Sequence, residues 1–177
     1  MNLEFNTIPG EIKPVIDYKG INILFDTGAG TPVWSRGIEL FKIHFPDAVK
    51  KNYKFILSGF GRSQDELIEF LREFSCVDNV NSDFLADVYS IPSFVLESKG
   101  GHIEWKNLNV AVTNRKAQGY HLILPSPMFG GMILSYAQDE LFHKIVINSP
   151  VETKYTFIKL IDRNDSKMLS FIYTQEQ

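Results

Sequence analysis

Cysteine is nearly absent. Cys76 stands alone in 177 residues, which excludes a disulfide within the chain. A single thiol of this kind reads as a small buried hydrophobe rather than a nucleophile. Positive charge is in short supply as well. Lys and Arg number 18 against 21 Asp and Glu, a net charge of -3, so no basic surface points to nucleic acid. No apolar run is long enough to span a bilayer. Met1-Asn2-Leu3-Glu4-Phe5 has neither the basic segment nor the long apolar segment of a signal peptide. These absences lead us to expect a cytoplasmic protein with no membrane or nucleic-acid partner. His44, His102, His121 and His143 are scattered without paired spacing, so no metal site is expected. Internal repeats, linkers and low-complexity tracts are missing too.

What is present is an ordinary globular composition, 44% hydrophobic and 22% charged, in a chain long enough for a real core. Short extended segments recur along it. Leu3 to Ile8 alternates apolar and polar residues, and Ile12 to Asp17 is a second strand. Tyr18-Lys19-Gly20 turns into a third, Ile21 to Phe25. Gly37 to Phe45 reads as a short helix stopped by Pro46, and Tyr53 to Leu57 as a strand. Ser63-Gln64-Asp65-Glu66 is a capping box, followed by the stripe Leu67, Ile68, Phe70, Leu71 and Phe74, which predicts a helix over 64–74. Asp87 to Glu97 is extended, with Pro92 marking an edge or bulge. His102–Trp105 and Leu108–Thr113 flank a turn at Lys106-Asn107. His121–Leu124, Phe142–Ile147, Tyr155–Ile161 and Met168–Tyr173 complete the strands. Short strands with few helices predict an all-β, barrel-like domain.

The chemistry-bearing stretch is Asp26-Thr27-Gly28-Ala29, at the end of the apolar run Ile21-Asn22-Ile23-Leu24-Phe25. A carboxylate ending a buried strand is costly unless its loop supplies hydrogen bonds. Thr27 offers a hydroxyl, and Gly28 permits close approach of the backbone. A carboxylate held this way suits the activation of water. The turn Ser58-Gly59-Phe60-Gly61-Arg62 lies some thirty residues on. Tyr120-His121-Leu122-Ile123-Leu124 later precedes Met128-Phe129.

Apolar strand, Asp-Thr-Gly-Ala, Gly-aromatic-Gly turn and late apolar strand together resemble the retropepsin-like aspartic proteases of the pepsin clan. The resemblance covers roughly residues 3 to 147. It implies the acid-protease fold: a closed β-barrel with one or two short helices, here with an inserted helix near the flap. Residues 1–150 would form the protease domain and 151–177 a C-terminal β-hairpin extension of it. Pro125 and Ser126 depart from the Gly and Arg that retroviral enzymes carry after the late strand.

The resemblance also implies a mechanism. Two carboxylates share one proton and activate a water between them, and neither bonds covalently to substrate. This chain has one Asp-Thr-Gly, and no other Asp precedes Thr-Gly or Ser-Gly. A complete site therefore needs a second copy, an isologous homodimer acting on peptide or protein substrates without a cofactor. Asp26, Thr27 and Gly28 would form the catalytic loop, with Thr27 bonding across the two-fold axis. Ser58, Gly59, Phe60 and Gly61 would be the flap tip that meets substrate.

Other readings stand beside this one. A dimeric domain of the same fold could bind peptide without cleaving it. Asp26-Thr27-Gly28-Ala29-Gly30-Thr31 also resembles the phosphate loop of the actin-like ATPases, although no second phosphate loop accompanies it. The haloacid-dehalogenase-type phosphatases need a general acid two residues past the nucleophile, where this chain has Gly28.

Overall fold

A computed structural model describes residues 2–11, 13–57, 65, 68–69, 85–115, 119–130, 133–138, 143–148, 159–163 and 168–172. The chain is mostly strand. In order come β1 (Asn2–Asn6), β2 (Val15–Tyr18), β3 (Ile21–Asp26), β4 (Val33–Trp34), α1 (Ile38–His44) and β5 (Val49–Ile56). They are followed by β6 (Leu85–Ser98), β7 (Gly101–Val112), β8 (Leu122–Pro125), a 3-10 turn (Ser126–Phe129), β9 (Ile133–Gln138), β10 (His143–Asn148), β11 (Lys159–Arg163) and β12 (Met168–Ile172). No helix among the described residues is long and apolar enough to cross a membrane.

The all-β expectation holds; the closed barrel does not. Seven strands form one mixed sheet in the order β2-β3-β8-β4-β7-β6-β5, while β1-β10-β9 and β11-β12 pair separately. Closure would require the outermost strands to pair with each other. Instead β5 is exposed along nearly its whole length and carries Lys50, Lys51 and Lys54, the signature of an edge. At the other end Thr7, one residue past β1, makes a single bridge to Ile16 of β2, and β1 itself pairs with β10.

Two compact units are distinguished: Met1–Gly30 with Val95–Glu104 and Ile123–Gln177, and Thr31–Phe94 with Trp105–Leu122. In the first, Leu3 and Phe5 are buried between exposed Glu4 and Asn6, so β1 shows the period of two that a one-sided strand needs. Its register sets Leu3 opposite Ile147 and Phe5 opposite Ile145, all four buried. The β2–β3 hairpin turns through Lys19 and Gly20, with φ of 50° and 83°. Two positive φ values in a two-residue loop match the right-handed twist of the strands they join. Lys19 Nζ lies 2.7 Å from Glu97 Oε1, and the Tyr18 hydroxyl accepts the Glu97 amide at 3.0 Å.

In the second unit Trp34 is fully buried and donates its indole N–H to the Gly37 carbonyl at 2.9 Å. Phe41, His44, Phe45 and His121 surround it, with ring centroids 5.7 to 5.9 Å away. The two-residue strand β4 runs parallel to β7, Val33 beside Ala111 and Trp34 beside Val112. The Ser35 amide donates to His121 O at 2.8 Å. Gly37 has φ of 79°, and its amide donates to the Thr113 carbonyl at 3.1 Å. That left-handed conformation is one a side chain resists.

Several boundaries differ from expectation for identifiable reasons. β7 runs unbroken through Lys106-Asn107 and makes no turn there; Asn107 takes φ of 54° inside the strand, which Asn tolerates. β5 starts at Val49 rather than Tyr53, because pairing with Ser90 and Tyr89 extends it. Strands β4 and β9 carry no sequence pattern that announces them. Pro92 lies in β6 beyond Ser90, the last residue that pairs with β5, so its missing N–H breaks no bond to that neighbour. Of the expected helix 64–74, Asp65, Ile68 and Glu69 are helical and the other positions lie outside the described residues.

These contacts have measurable consequences. Trp34→Ala should cost about 3–5 kcal/mol in urea unfolding, and Trp34→Phe about 1 kcal/mol through the lost indole bond. The side-chain bond between Lys19 and Glu97 raises the lysine from its ordinary value and lowers the carboxyl from its own. A lowered carboxyl contributes above its ordinary value of 4.5 and loses that contribution as pH falls through its folded value. A raised ammonium contributes below 10.5 and loses it as pH rises further. Glu97→Gln should therefore lower the melting midpoint slightly between those limits and by progressively less as pH falls below 4.5, with 1 M salt removing the difference.

Candidate active site

β3 is buried along Ile23, Leu24 and Phe25, flanked in the sheet by β2 and β8. Strands covered on both sides read as continuous apolar runs, which is why Ile21–Phe25 shows little alternation. The chain surfaces at its end. Asp26 is half-buried, and Thr27 and Gly28 are exposed. The Gly28 amide donates to Asp26 Oδ1 at 2.8 Å, and the Ala29 amide donates to the Asp26 carbonyl at 3.3 Å. An aspartate accepting the amide two residues on is an Asx turn, a local device that aims the carboxylate along its own loop.

Three features anchor the loop from behind. The Phe25 amide donates to Pro14 O at 3.0 Å, tying β3 to the start of β2. Phe25 is buried and its ring lies 5.6 Å from that of buried Phe129, on the 3-10 turn. Pro125 ends β8 with φ of -79° and ψ of 148°. That is extended backbone, natural to proline, so this position needs no glycine.

Proximity explains the glycine at position 28. A Cβ there would sit 3.3 Å from Asp26 Oδ1, whereas one at Gly30 would meet nothing within 4 Å. Asp26, Thr27 and Gly28 follow one another in a single loop at the end of β3. Ser58, Gly59, Phe60 and Gly61 lie outside the described residues. Among the described residues no group of three or more His, Cys, Asp or Glu could hold a metal.

No protein-family model, curated protein or solved structure matches this chain.

The loop geometry separates two chemistries. A phosphate loop works by turning successive amides toward an anion. Here the Gly28 and Ala29 amides are both committed to Asp26 itself. Of the two, the Gly28 amide is spent on the carboxylate and the Ala29 amide on the backbone carbonyl. The Phe25–Phe129 pairing is not legible in the sequence as a support for Asp26. Sequence pattern shows only that Met128-Phe129 follow the late apolar run 120–124.

Asn at position 26 can accept the same amide through its carbonyl. Asp26→Asn should therefore fold normally, losing no more than about 1 kcal/mol in urea unfolding, the difference between a charged and a neutral acceptor. Gly30→Ala should be silent. Gly28→Ala should displace the Asp26 side chain by a few tenths of an ångström, visible as changed carboxyl and amide resonances at 26–28 in NMR spectra.

Proposed function

We propose that this chain is one half of a homodimeric aspartic endopeptidase of the retropepsin-like type. The observation that carries the reading is the Asp26 carboxylate, half-buried at the end of a doubly flanked strand and held by the Gly28 amide at 2.8 Å. The single Asp-Thr-Gly in the sequence supports the dimer, because one carboxyl group cannot act as base on the water and acid on the carbonyl in the same step.

In the dimer, Asp26 of each copy flanks a two-fold axis, and the exposed Thr27 side chains reach across it. Two carboxylates about 3 Å apart cannot both ionise, so they share one proton. The ionised member takes a proton from the trapped water. The oxygen of that water bonds to the peptide carbonyl carbon, and the protonated member passes its proton to the carbonyl oxygen. As the resulting diol collapses, one of its hydroxyls gives its proton to the ionised carboxylate, the C–N bond breaks, and the nitrogen leaves with the proton of the other carboxyl, so the pair again holds one proton. No covalent enzyme intermediate forms, and no metal or cofactor takes part in this scheme. The Asx turn suits this chemistry, since a carboxylate aimed by its own backbone needs no reorganisation when charge shifts between the two acids.

Cleavage of a peptide library between pH 4 and 7, with sedimentation at micromolar concentration, tests the reading. Wild type should cleave and sediment as a dimer, and Asp26→Asn should lose at least about 1,000-fold in kcat, the scale of a missing acid–base group. Adding an equal amount of Asp26→Asn chain should halve the cleavage per wild-type chain, because randomly mixed dimers pair half of the wild-type subunits with an inert partner. Cleavage unaffected by that mixing would show that each subunit works alone. A dimer that binds peptides and cleaves none would be the non-catalytic domain of the same fold.

A further inference from the structure

Among the described residues strand β5 ends the seven-stranded sheet, and it exposes large apolar side chains beside its edge lysines. Among the described residues it pairs with β6 alone, so its outer row of backbone donors and acceptors has no strand beside it. Large apolar side chains stand in water there: Val49 is 60% exposed, Tyr53 43% and Ile56 45%. Ile43, on the preceding helix, is exposed as well. Tyr53 and Phe55 meet edge to face at 5.8 Å, which makes a rigid aromatic surface on the strand.

Charge is concentrated on the same eight residues. Lys50, Lys51 and Lys54 lie on β5 with no acidic residue, in a chain whose net charge is -3. On β6, Asp87 lies 3.3 Å from Lys50 and 3.4 Å from Lys54. One carboxylate leaves the strand strongly positive, and both lysine side chains remain more than half exposed. The register shift between Lys50 and Lys54 bends the strand at its middle.

We propose that the outer edge of β5 docks an extended acidic segment of a partner protein as an added strand. Backbone pairing would supply affinity and alternate side chains specificity, the logic of β-strand addition. Val49, Tyr53 and Ile56 would meet the apolar side chains of the segment, and the lysines its carboxylates. Edge lysines deter neutral and like-charged strands, but that deterrent is selective by sign. A second copy of this chain is disfavoured as occupant, because two β5 strands related by a two-fold axis would set lysines against lysines. The proposal is independent of the peptidase reading.

The test uses the full chain carrying Asp26→Asn, so that binding is read without cleavage. The probe is a fluorescent octapeptide of alternating glutamate and valine, followed by anisotropy at 50 and 300 mM salt. Controls are the same peptide with lysine for glutamate, and one with proline at alternate positions, which lacks every second backbone N–H and so cannot form a full ladder. The acidic peptide should bind, and more weakly at high salt; both controls should bind at least about tenfold more weakly. Lys50→Gln, Lys51→Gln and Lys54→Gln combined should weaken binding about tenfold, at roughly twofold per exposed ion pair. Lys51→Gln alone, which leaves both Asp87 contacts intact, should weaken it about twofold. Circular dichroism checks that each variant folds. No anisotropy change up to millimolar protein, or equal affinity for acidic and basic peptides, would overturn the proposal. So would self-association of the triple variant without peptide binding by the parent chain, since the lysines would then only keep edges apart.

Discussion

The bond from the Gly28 amide to the Asp26 carboxylate, 2.8 Å long, is the constraint around which the first unit makes sense. A carboxylate at the end of a buried strand must find donors or reach water. Asp26 does both, since its loop emerges to solvent within two residues and turns one amide back on it. That solution demands a small residue at position 28, where a Cβ would crowd the accepting oxygen. It also demands a rigid strand behind it, which the Phe25–Phe129 contact and the Phe25 amide bond to Pro14 provide. Core and surface meet at the junction between Phe25 and Asp26, with the first side chain buried and the next half-buried.

The second unit answers a different problem. Two residues of β4 cannot hold a strand by pairing alone. Trp34 supplies what the ladder lacks, a fully buried indole ringed by Phe41, His44, Phe45 and His121 and bonded to Gly37 O. The chain leaving the Asp26 loop therefore enters a cluster of aromatic side chains held from several directions. Aromatic rings bring large buried area with few rotamers to lose. The same residue types left exposed on β5, Tyr53 among them, mark a surface rather than a core.

The sheet end at β5 also explains why a barrel is the wrong picture. Closure removes the edges and requires complementary outer strands. Three lysines on one terminal strand, with β1 diverted to β10 at the other end, leave no such pair. The lysine pattern is visible in the sequence, but its meaning depends on knowing that β5 is terminal.

Local patterns read well where the physics is local. The Lys19-Gly20 hairpin, the short helix stopped near Pro46 and the apolar run delivering Asp26 all follow from turn chemistry and burial period within a few residues. The Asp-Thr-Gly loop is legible for the same reason, since an Asx turn is built from residues 26 to 28 alone. Pattern misleads where a distant partner decides. Asn107 reads as a turn residue, but β7 continues through it because the sheet absorbs one left-handed residue more easily than a break. β4 is too short to show a period, and it is a strand because β7 and the Ser35–His121 bond hold it there. Sequence alone placed Asp26 at the end of an apolar strand with a glycine two residues on. Only the tertiary arrangement decided what stands behind it and where the sheet ends, because pairing and packing join residues that neighbouring sequence cannot specify.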